Sequence, residues 1–375
     1  MLLGYFTLFI TLFSCIWYPC IVGLSGRRDI ILNENKKTGS SIWWLPQLPY
    51  DSIIEGFTTH ISYYPAQRVQ FKISCEDGYE NYTVEIYRLG YYGGAGARHL
   101  TTLAINNSRC SNQSKCLFDP DYRLTDCRNW QVSADWQIPG SAVSGVYVGL
   151  PIIRSSQISQ SVLAYGNYIP FVVKQASYQL PSEILFKTSD LTWVAYNKYG
   201  GWNVYAKNGS KDFSTRAFAA SYNRPFTNRF KYPYGMSQNF LFSTEFPFLY
   251  WLEKYGYDVS YVACKDLEKM RFSKRTPLKK HSPSPRPIHA KPAVKAILSI
   301  GHDEYWTPGL RSALQRARDS GVSVGFFSGN EGYWRVLWGE EFAIHLQAIY
   351  QSLGKGNVST SPTPTPLTLS TSCSK

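Results

Sequence analysis

Two short segments of the sequence place reactive side chains at the ends of apolar runs. AILSIGHDEYWT, Ala296–Thr307, leads from small and apolar residues into His302 and Glu304. FFSGNEGYWR places Asn330 in the same position after a second apolar run. An imidazole there can act as a base or donate a hydrogen bond to an oxyanion, and a side-chain amide can hold a carbonyl or a water. These side chains are therefore candidates for a chemical site.

The residues around these segments predict alternating strands and helices. VKAILSI and VSVGFFSG are apolar without alternation, which is typical of parallel strands that are covered on both faces. Between them, TPGLRSALQRARDSG has the signals of a helix, with Thr307 as the cap, Pro308 at the first position and Gly321 just past the end. ILFK and YDVSYVAC are further strand candidates. The second half of the chain is therefore predicted to be α/β with a parallel sheet.

A parallel sheet would bring the two reactive segments together. Ligands of open α/β sheets bind beyond the carboxyl ends of the strands, and paired strands lie only about 5 Å apart. If the strands before His302 and Asn330 pair, both side chains and Glu304 lie at one edge of the sheet. The YNKYGG loop after ILFK would reach the same edge. We therefore expect one crevice that collects these residues.

The first half of the chain has a pattern that is typical of an all-β structure. VQFKIS, TVEIYRL and SGVYVGL alternate with period two, and turn-forming sequences such as YYGGAGAR lie between them. We predict an N-terminal β-sandwich domain at residues 45–175 and an α/β domain at residues 181–350.

The order of several motifs resembles that of the large (beta) subunit of N,N-dimethylformamidase. Its C-terminal domain is similar to the segments WVAYNKYGGWNVY, SYNRPF, WLEKYGYDVSYV, SIGHDEYWT and FFSGNEGYWR. The β-sandwich before that domain is similar to EIYRLGYYGGAGAR, SGVYVGL and YIPFVVK, so that the resemblance covers residues 50–338. It implies a parallel-sheet three-layer sandwich akin to class I glutamine amidotransferases. It also implies a hydrolase that cleaves the C–N bond of a small linear amide.

The resemblance further implies a mononuclear ferric ion held by two tyrosines and one glutamate. Glu304 matches the glutamate, and His302 and Asn330 match neighbouring residues to which we assign catalytic roles. For the tyrosines, Tyr196 is our first choice and Tyr222 our second. Phenolate and carboxylate are hard oxygen donors that suit a ferric ion. Three further tyrosines stay open as alternatives: Tyr199, Tyr205 and Tyr257.

Each of these residues also has a purely structural interpretation. Glu304 can stabilise the start of the following helix, and His302 can make an ordinary structural hydrogen bond. Tyr196 can pack against neighbouring tryptophans, and Asn330 can shape a turn. The sequence leaves these alternatives open beside the chemical ones.

The N-terminus predicts a secreted protein. LLGYFTLFITLFSCIWYPCIVGL is an uninterrupted apolar run, which we interpret as a signal peptide at residues 1–26. The alternative is a membrane anchor formed by residues 2–24, because the run is long enough to span a bilayer. N-glycosylation sequons favour the secretory lumen. The sequons are at Asn81, Asn106, Asn112, Asn208 and Asn357.

Four cysteines among these sequons indicate disulfide bonds in an oxidising compartment. They allow three pairings, among which the sequence does not choose. Cys264 and Cys373 have no evident partner. The four clustered cysteines are Cys75, Cys110, Cys116 and Cys127.

The net charge of +13 arises largely from one segment. Between Lys265 and Lys295 there are ten Lys or Arg residues, five prolines and only two acidic residues. This composition indicates a solvated loop rather than a nucleic-acid-binding surface, and we interpret residues 269–292 as an insertion. The alternative function is therefore a non-catalytic extracellular glycoprotein that keeps the fold and binds a glycan or another polyanion.

The C-terminal end departs from the family pattern. The likeness fades near Trp338, and residues 357–375 form a Ser/Thr/Pro-rich tail. We therefore expect a C-terminally truncated domain with an exposed apolar sheet edge. As partners we expect a small amide or a glycan-type substrate, no nucleic acid, and no stable membrane insertion after signal cleavage. Whether the chain forms a homo-oligomer stays open.

Overall fold

The structure is a computed structural model in which the predicted signal peptide (1–26), residues 273–292 of the basic insertion and the tail (357–375) lie outside the described residues. The sequons at Asn106 and Asn357 lie outside them as well. The membrane anchor, the insertion and the polyanion-binding alternative therefore stay predictions. Within the described ranges, no helix is long and apolar enough to cross a membrane. These ranges are 28–44, 53–77, 79, 81–104, 110–154, 162–208, 210–228, 241–272, 294–339 and 345–347.

The first half of the chain is β-rich. In the described residues before the strands there is one helix, α1 Arg28–Asn35. The strands are β1 Ile54–Thr58, β2 Ser62–Tyr63, β3 Arg68–Cys75, β4 Asn81–Leu89, β5 Ala97–Ala104, β6 Leu117–Asp119, β7 Leu124–Asp126, β8 Ala134–Gln137, β9 Gly145–Arg154, β10 Val162–Tyr165 and β11 Ile169–Val173. One sheet has the order β1-β3-β8, and the other has the order β2-β11-β9-β4-β5 with β10 paired to β9. β6 and β7 form a separate hairpin.

Alternating side chains of the two sheets form a shared core. On β3, Val69 and Phe71 are fully buried, while Gln70 between them is exposed. Phe71 packs edge-on against Phe171 of β11, with the ring centroids 6.0 Å apart. β9 is buried on both faces, because Tyr147 belongs to this core and Val148 to the core of the second half. The two halves of the chain are therefore packed together through β9.

The second half of the chain contains a four-stranded parallel sheet. The helices and strands of this half are β12 Ile184–Lys187, α2 Asp190–Tyr196, β13 Ala220–Ser221, α3 Leu241–Thr244, α4 Phe246–Lys254, β14 Val259–Val262, α5 Cys264–Lys269, β15 Ala296–His302, β16 Tyr305–Trp306, α6 Pro308–Asp319, β17 Ser323–Gly329, β18 Trp334–Arg335, β19 Leu337–Trp338 and β20 His345–Gln347. The sheet has the order β14-β12-β15-β17, and every pair is parallel. The predicted parallel pairing is confirmed, since Ala296 lies opposite Ser323 and His302 opposite Gly329.

Helix α6 connects β15 to β17 and has the ends that the sequence predicts. Thr307 caps it by accepting a hydrogen bond from the backbone N–H of Leu310 at 3.0 Å. Gly321 follows the helix with a φ of 85°, a conformation that glycine adopts without strain. The apolar face, which includes Leu310 and Leu314, is buried. Because this face packs towards β17, the helix fixes the β15–β17 connection.

The outer edge of the parallel sheet is only partly covered. β17 is the end strand of the sheet, and most of its residues are half-buried or exposed. Phe327 is 54% exposed and packs against Phe248 of α4. In the described part of the chain, the β17 edge of the sheet is therefore only partly covered, and the truncation of the domain stays a prediction.

Two disulfide bonds resolve the open pairing of the four clustered cysteines. Cys75 pairs with Cys110, and Cys116 pairs with Cys127. The first bond joins the end of β3 to the loop before β6, and the second closes the β6–β7 hairpin. Cys264 is a free, buried thiol, and Cys373 lies outside the described residues.

A buried ion pair joins the β-rich half to the α/β half. Arg88 on β4 donates to Glu253 on α4 through both terminal nitrogens, at 2.8 and 3.0 Å. Neither side chain is exposed. Asn35 of α1 and Tyr261 of β14 also donate to Glu253, each at 2.9 Å. One carboxylate therefore connects four elements of the fold.

Candidate functional site

The carboxyl end of β15 positions the first reactive side chains. Gly301 has a φ of 89°, which favours glycine, and an added Cβ would lie 2.6 Å from Oγ1 of Thr244. His302 follows as the last residue of β15. The backbone N–H of Glu304 then donates to Oγ1 of Thr192 on α2 at 3.1 Å. The G-H-D-E sequence is thus a turn that fixes the glutamate against α2.

Asp303 anchors this turn in the interior. Its carboxylate forms an ion pair with Lys187 at the end of β12, with 2.7 Å between Oδ1 and Nζ, and both side chains are fully buried. Ser299 also donates a hydrogen bond to Asp303. Burial alone would lower the pKa of Lys187, but the carboxylate of Asp303 outweighs this effect and raises the pKa. Lys187 therefore stays charged, and the pair holds the ends of β12 and β15 together.

Two tyrosine hydroxyls meet the carboxylate of Glu304. The hydroxyl of Tyr196, the last residue of α2, lies 2.6 Å from Oε2 of Glu304. The hydroxyl of Tyr205 donates to Oε1 of the same carboxylate. The two tyrosine oxygens are themselves 2.6 Å apart. Three oxygen-bearing groups therefore converge on one point at the carboxyl edge of the parallel sheet.

An imidazole and a side-chain amide border this cluster. Nε2 of His302 lies 2.8 Å from Oε2 of Glu304 and 3.5 Å from the hydroxyl of Tyr196. Nδ2 of Asn330 lies 3.5 Å from the same imidazole nitrogen. The Glu304 side chain is 4% exposed and that of His302 is 20% exposed, while Asn330 is exposed. The site therefore opens to solvent on the side of Asn330.

The contacts set the protonation states of the cluster. Burial raises the pKa of Glu304, but hydrogen bonds from His302, Tyr196 and Tyr205 outweigh it and hold the pKa below its ordinary value. Burial also raises the pKa of both tyrosines, and the neighbouring carboxylate raises them further. In the protein alone, the carboxylate is ionised and both phenols keep their protons.

The structure does not bring every predicted tyrosine to this cluster. Tyr222, our second choice, is buried, and its hydroxyl donates to Oδ2 of Asp190 at 2.6 Å. Tyr199 donates to Glu55 of the β-rich half, and Tyr257 stacks on a tryptophan of α4. Tyr205 thus occupies the place that we expected for Tyr222, whose hydroxyl is bound elsewhere.

A reversal of the chain brings Tyr205 onto Tyr196. The 3₁₀ turn Tyr199–Gly201 follows α2, and its two glycines have φ values of 80° and 92°. The chain doubles back there, so that the rings of Tyr196 and Tyr205 lie with their centroids 4.5 Å apart. The pair of glycines between two tyrosines was the signal in the sequence that could have identified Tyr205.

The donor set of the cluster suits a hard metal ion. In the described part of the chain, no three His, Cys, Asp or Glu side chains are grouped to hold a metal. Both phenols contact the one ionised carboxylate. A cation that replaced their protons would meet three anionic oxygens, which is a donor set that ferric iron favours.

Comparison with known proteins assigns the family. No curated protein matches the chain in sequence. Residues 83–360 match the family described as "N,N-dimethylformamidase beta subunit-like, C-terminal". The match begins within β4, includes the whole parallel sheet and extends beyond Trp338. The chain therefore belongs to the N,N-dimethylformamidase beta subunit-like family.

Proposed function

We propose that the protein is an iron-dependent hydrolase that cleaves the C–N bond of a linear amide. Tyr196, Tyr205 and Glu304 are the proposed ligands of a mononuclear ferric ion. The observation that carries this proposal is the single buried carboxylate that contacts two phenol oxygens and one imidazole. Tyr205 replaces Tyr222 in the proposed set, because the hydroxyl of Tyr222 is bound to Asp190.

The side chains around the ligands have separate roles in the proposed reaction. A ferric ion bound here would polarise the amide carbonyl and lower the pKa of a water. In the protein alone, Nε2 of His302 donates to Oε2 of Glu304. If a metal engaged that carboxylate, Nε2 would be free to accept the proton of the attacking water and return it to the leaving nitrogen. Asn330 donates its amide N–H to the carbonyl oxygen and orients the substrate at the open side of the site. The burial of Glu304 keeps bulk water away from the ligand oxygens.

We also propose that the protein is secreted. The two disulfide bonds support an oxidising compartment. The three sequon asparagines within the described ranges are all exposed, as glycan acceptors must be. These asparagines are Asn81, Asn112 and Asn208.

We also propose that the α/β half of the chain is a sandwich of three layers. The parallel sheet carries α3 against β15 and α6 against β17. This packing supports a three-layer sandwich of the class I glutamine amidotransferase type. We propose that the β-sandwich domain spans residues 45–175 and that the α/β domain spans residues 181–350.

Metal analysis of a Glu304→Ala variant tests the proposed function. The purified wild-type protein should contain stoichiometric iron and release amine from a panel of linear amides, and Glu304→Ala should lose both properties. Glu331→Ala, which removes an acidic side chain from the neighbouring Asn330 loop, is the matched control and should keep the iron. Equal and negligible iron in the wild type and in Glu304→Ala would reject the metal assignment.

A further inference from the structure

A disulfide-closed hairpin of the β-rich half lies against the proposed site. This disulfide hairpin, Cys116–Cys127, contains β6 and β7. Asp119 shapes its tip by accepting hydrogen bonds from two backbone N–H groups of the turn, at 2.9 and 3.1 Å. The disulfide at its base packs in a small cluster with Phe57, Trp130 and Tyr199. Tyr199 begins the segment that carries Tyr205.

This segment, residues 199–224, is called here the tyrosine segment. Its described residues form only two 3₁₀ turns and the two-residue strand β13. Around Tyr205 it is held by bonds within the segment, such as that from the N–H of Tyr205 to Oδ1 of Asn203 at 2.9 Å. It is also bonded to α2, where the N–H of Val204 donates to the carbonyl of Ala195 at 3.2 Å and Nη2 of Arg224 donates to that of Val194 at 3.3 Å. A segment with so little regular structure depends on its neighbours for its position.

The hairpin contacts the tyrosine segment on the N-terminal side of Tyr205. Thr125 lies against Gly200, where an added Cβ would be 2.3 Å from Oγ1 of Thr125. The ring of Phe118 lies on that of Trp202, with the centroids 5.0 Å apart. The hairpin therefore supports the chain reversal that brings Tyr205 towards Tyr196.

The hairpin also contacts the segment on the C-terminal side of Tyr205. Nη1 of Arg123 donates to the carbonyl oxygens of Ser214 and Arg216, at 2.6 and 2.9 Å. The N–H of Phe218 donates to the carbonyl of Tyr122 at 2.9 Å. These bonds fix residues 214–218, the stretch of chain that leads away from Tyr205.

The base of the hairpin is bonded to the end of the segment. The N–H of Cys127, one half of the disulfide, donates to the carbonyl of Asn223 at 2.6 Å. The hydroxyl of Ser221 donates to Oδ2 of Asp126 at 2.9 Å, and both side chains are buried. Cys127 is itself fully buried. The disulfide thus sits at the point where the two structures are joined.

We infer that the disulfide hairpin positions Tyr205, and that the Cys116–Cys127 bond is required for the Tyr196–Tyr205 pair to form on Glu304. The meaning of that pair as a metal site rests on the proposed function, but the positioning itself does not. Cys116, Cys127 and Arg123 are positioning residues, because they act through the tyrosine segment. An opened hairpin would keep its sequence but lose the fixed surface against which the segment packs.

Hydrogen exchange of the metal-free full chain tests the inference. The Cys116→Ser/Cys127→Ser variant should exchange the amides of residues 199–218 about tenfold faster than the wild type, because their neighbour is no longer fixed. The Cys75→Ser/Cys110→Ser variant is the matched control, since it removes the other disulfide. It should leave this exchange unchanged. In both variants, the amides of α6 should exchange as in the wild type, which shows that the α/β half is folded.

A spectroscopic measurement separates positioning from general stability. After ferric iron is added, the phenolate-to-iron absorption per bound iron should fall in the Cys116→Ser/Cys127→Ser variant and stay unchanged in the control. If the wild type binds no iron, the proposed function fails, and the exchange experiment still decides the inference. Equal exchange of residues 199–218 in the two double variants would overturn it.

A second variant is decisive if the first does not fold. Arg123→Met keeps the length of the side chain and the disulfide but removes the bonds to Ser214 and Arg216. It should accelerate exchange in residues 210–218 severalfold. Exchange at the wild-type rate in Arg123→Met would then overturn the inference.

Discussion

At the scale of single residues, Glu304 accepts hydrogen bonds from two phenols and an imidazole while it is almost fully buried. A buried carboxylate is costly unless its oxygens are satisfied, and here each oxygen has a tyrosine partner. The same arrangement brings the oxygens of Tyr196, Tyr205 and Glu304 towards one point. Substitution of single tyrosines can therefore show which hydroxyls bind a metal.

Phenylalanine substitutions distinguish Tyr205 from Tyr222. We expect Tyr205→Phe to lose the bound iron and its visible absorption, because one of the three oxygens is removed. Tyr222→Phe should keep both and lose about 1–2 kcal/mol of unfolding free energy, because the buried carboxylate of Asp190 loses a donor. Metal analysis and denaturant unfolding measure the two effects. Iron that is lost in Tyr222→Phe but kept in Tyr205→Phe would contradict the assignment.

At the scale of secondary-structure elements, the ends of two strands and one turn decide where these side chains lie. β15 ends at His302 opposite Gly329 of β17, so the two strands deliver the imidazole and the amide of Asn330 to neighbouring positions. The turn after α2 then returns the chain to Tyr196, so that Tyr205 lies beside it. That turn depends on two successive glycines with different surroundings.

Alanine substitutions at the two glycines separate backbone strain from steric exclusion. Gly200 and Gly201 both have positive φ, so each substitution should cost about 1–2 kcal/mol. At Gly200 the new Cβ would also overlap Thr125, whereas nothing lies within 4 Å at Gly201. Gly200→Ala should therefore cost at least about 1 kcal/mol more than Gly201→Ala. Denaturant unfolding of both variants measures the difference, and equal losses would show that the contact with Thr125 relaxes freely.

At the scale of the whole molecule, the β-rich half is part of the site's support rather than a separate attachment. The disulfide hairpin lies against the tyrosine segment, and β9 contributes side chains to both cores. Arg88 and Glu253 also join β4 to α4, and neither side chain is exposed to solvent. Burial would lower the pKa of Arg88, but Glu253 outweighs it and raises the pKa, so Arg88 stays charged.

Neutralisation of Glu253 tests this joint. Glu253→Gln would leave the buried charge of Arg88 uncompensated and should lower the unfolding free energy by about 3–5 kcal/mol. Asp135→Asn breaks the exposed pair between Arg68 and Asp135 and should cost less than about 1 kcal/mol. Urea unfolding compares the two variants. A loss in Glu253→Gln no larger than that in Asp135→Asn would show that the buried pair does not hold the halves together.

The positions of His302, Glu304 and Asn330 could be predicted because they depend on strand ends. The apolar runs before them and the capped helix between them specify a parallel pair, and parallel pairing places the ends at one edge. The choice between Tyr205 and Tyr222 could not be predicted in this way. Both lie in a segment without hydrophobic periodicity, where the position of a hydroxyl depends on contacts with residues that are distant in sequence. The disulfide pairing was open for the same reason.

The sequence by itself determined the family, the parallel strands and the edge of the sheet at which reactive residues gather. These features follow from local patterns, since the period of apolar residues and the capping signals act over a few neighbouring positions. Only the tertiary structure decided that Tyr205 meets Tyr196 on Glu304, while Tyr222 is bound to Asp190. That outcome depends on a glycine turn and on a hairpin almost eighty residues earlier in the chain. Their packing is a long-range property that no short stretch of residues specifies.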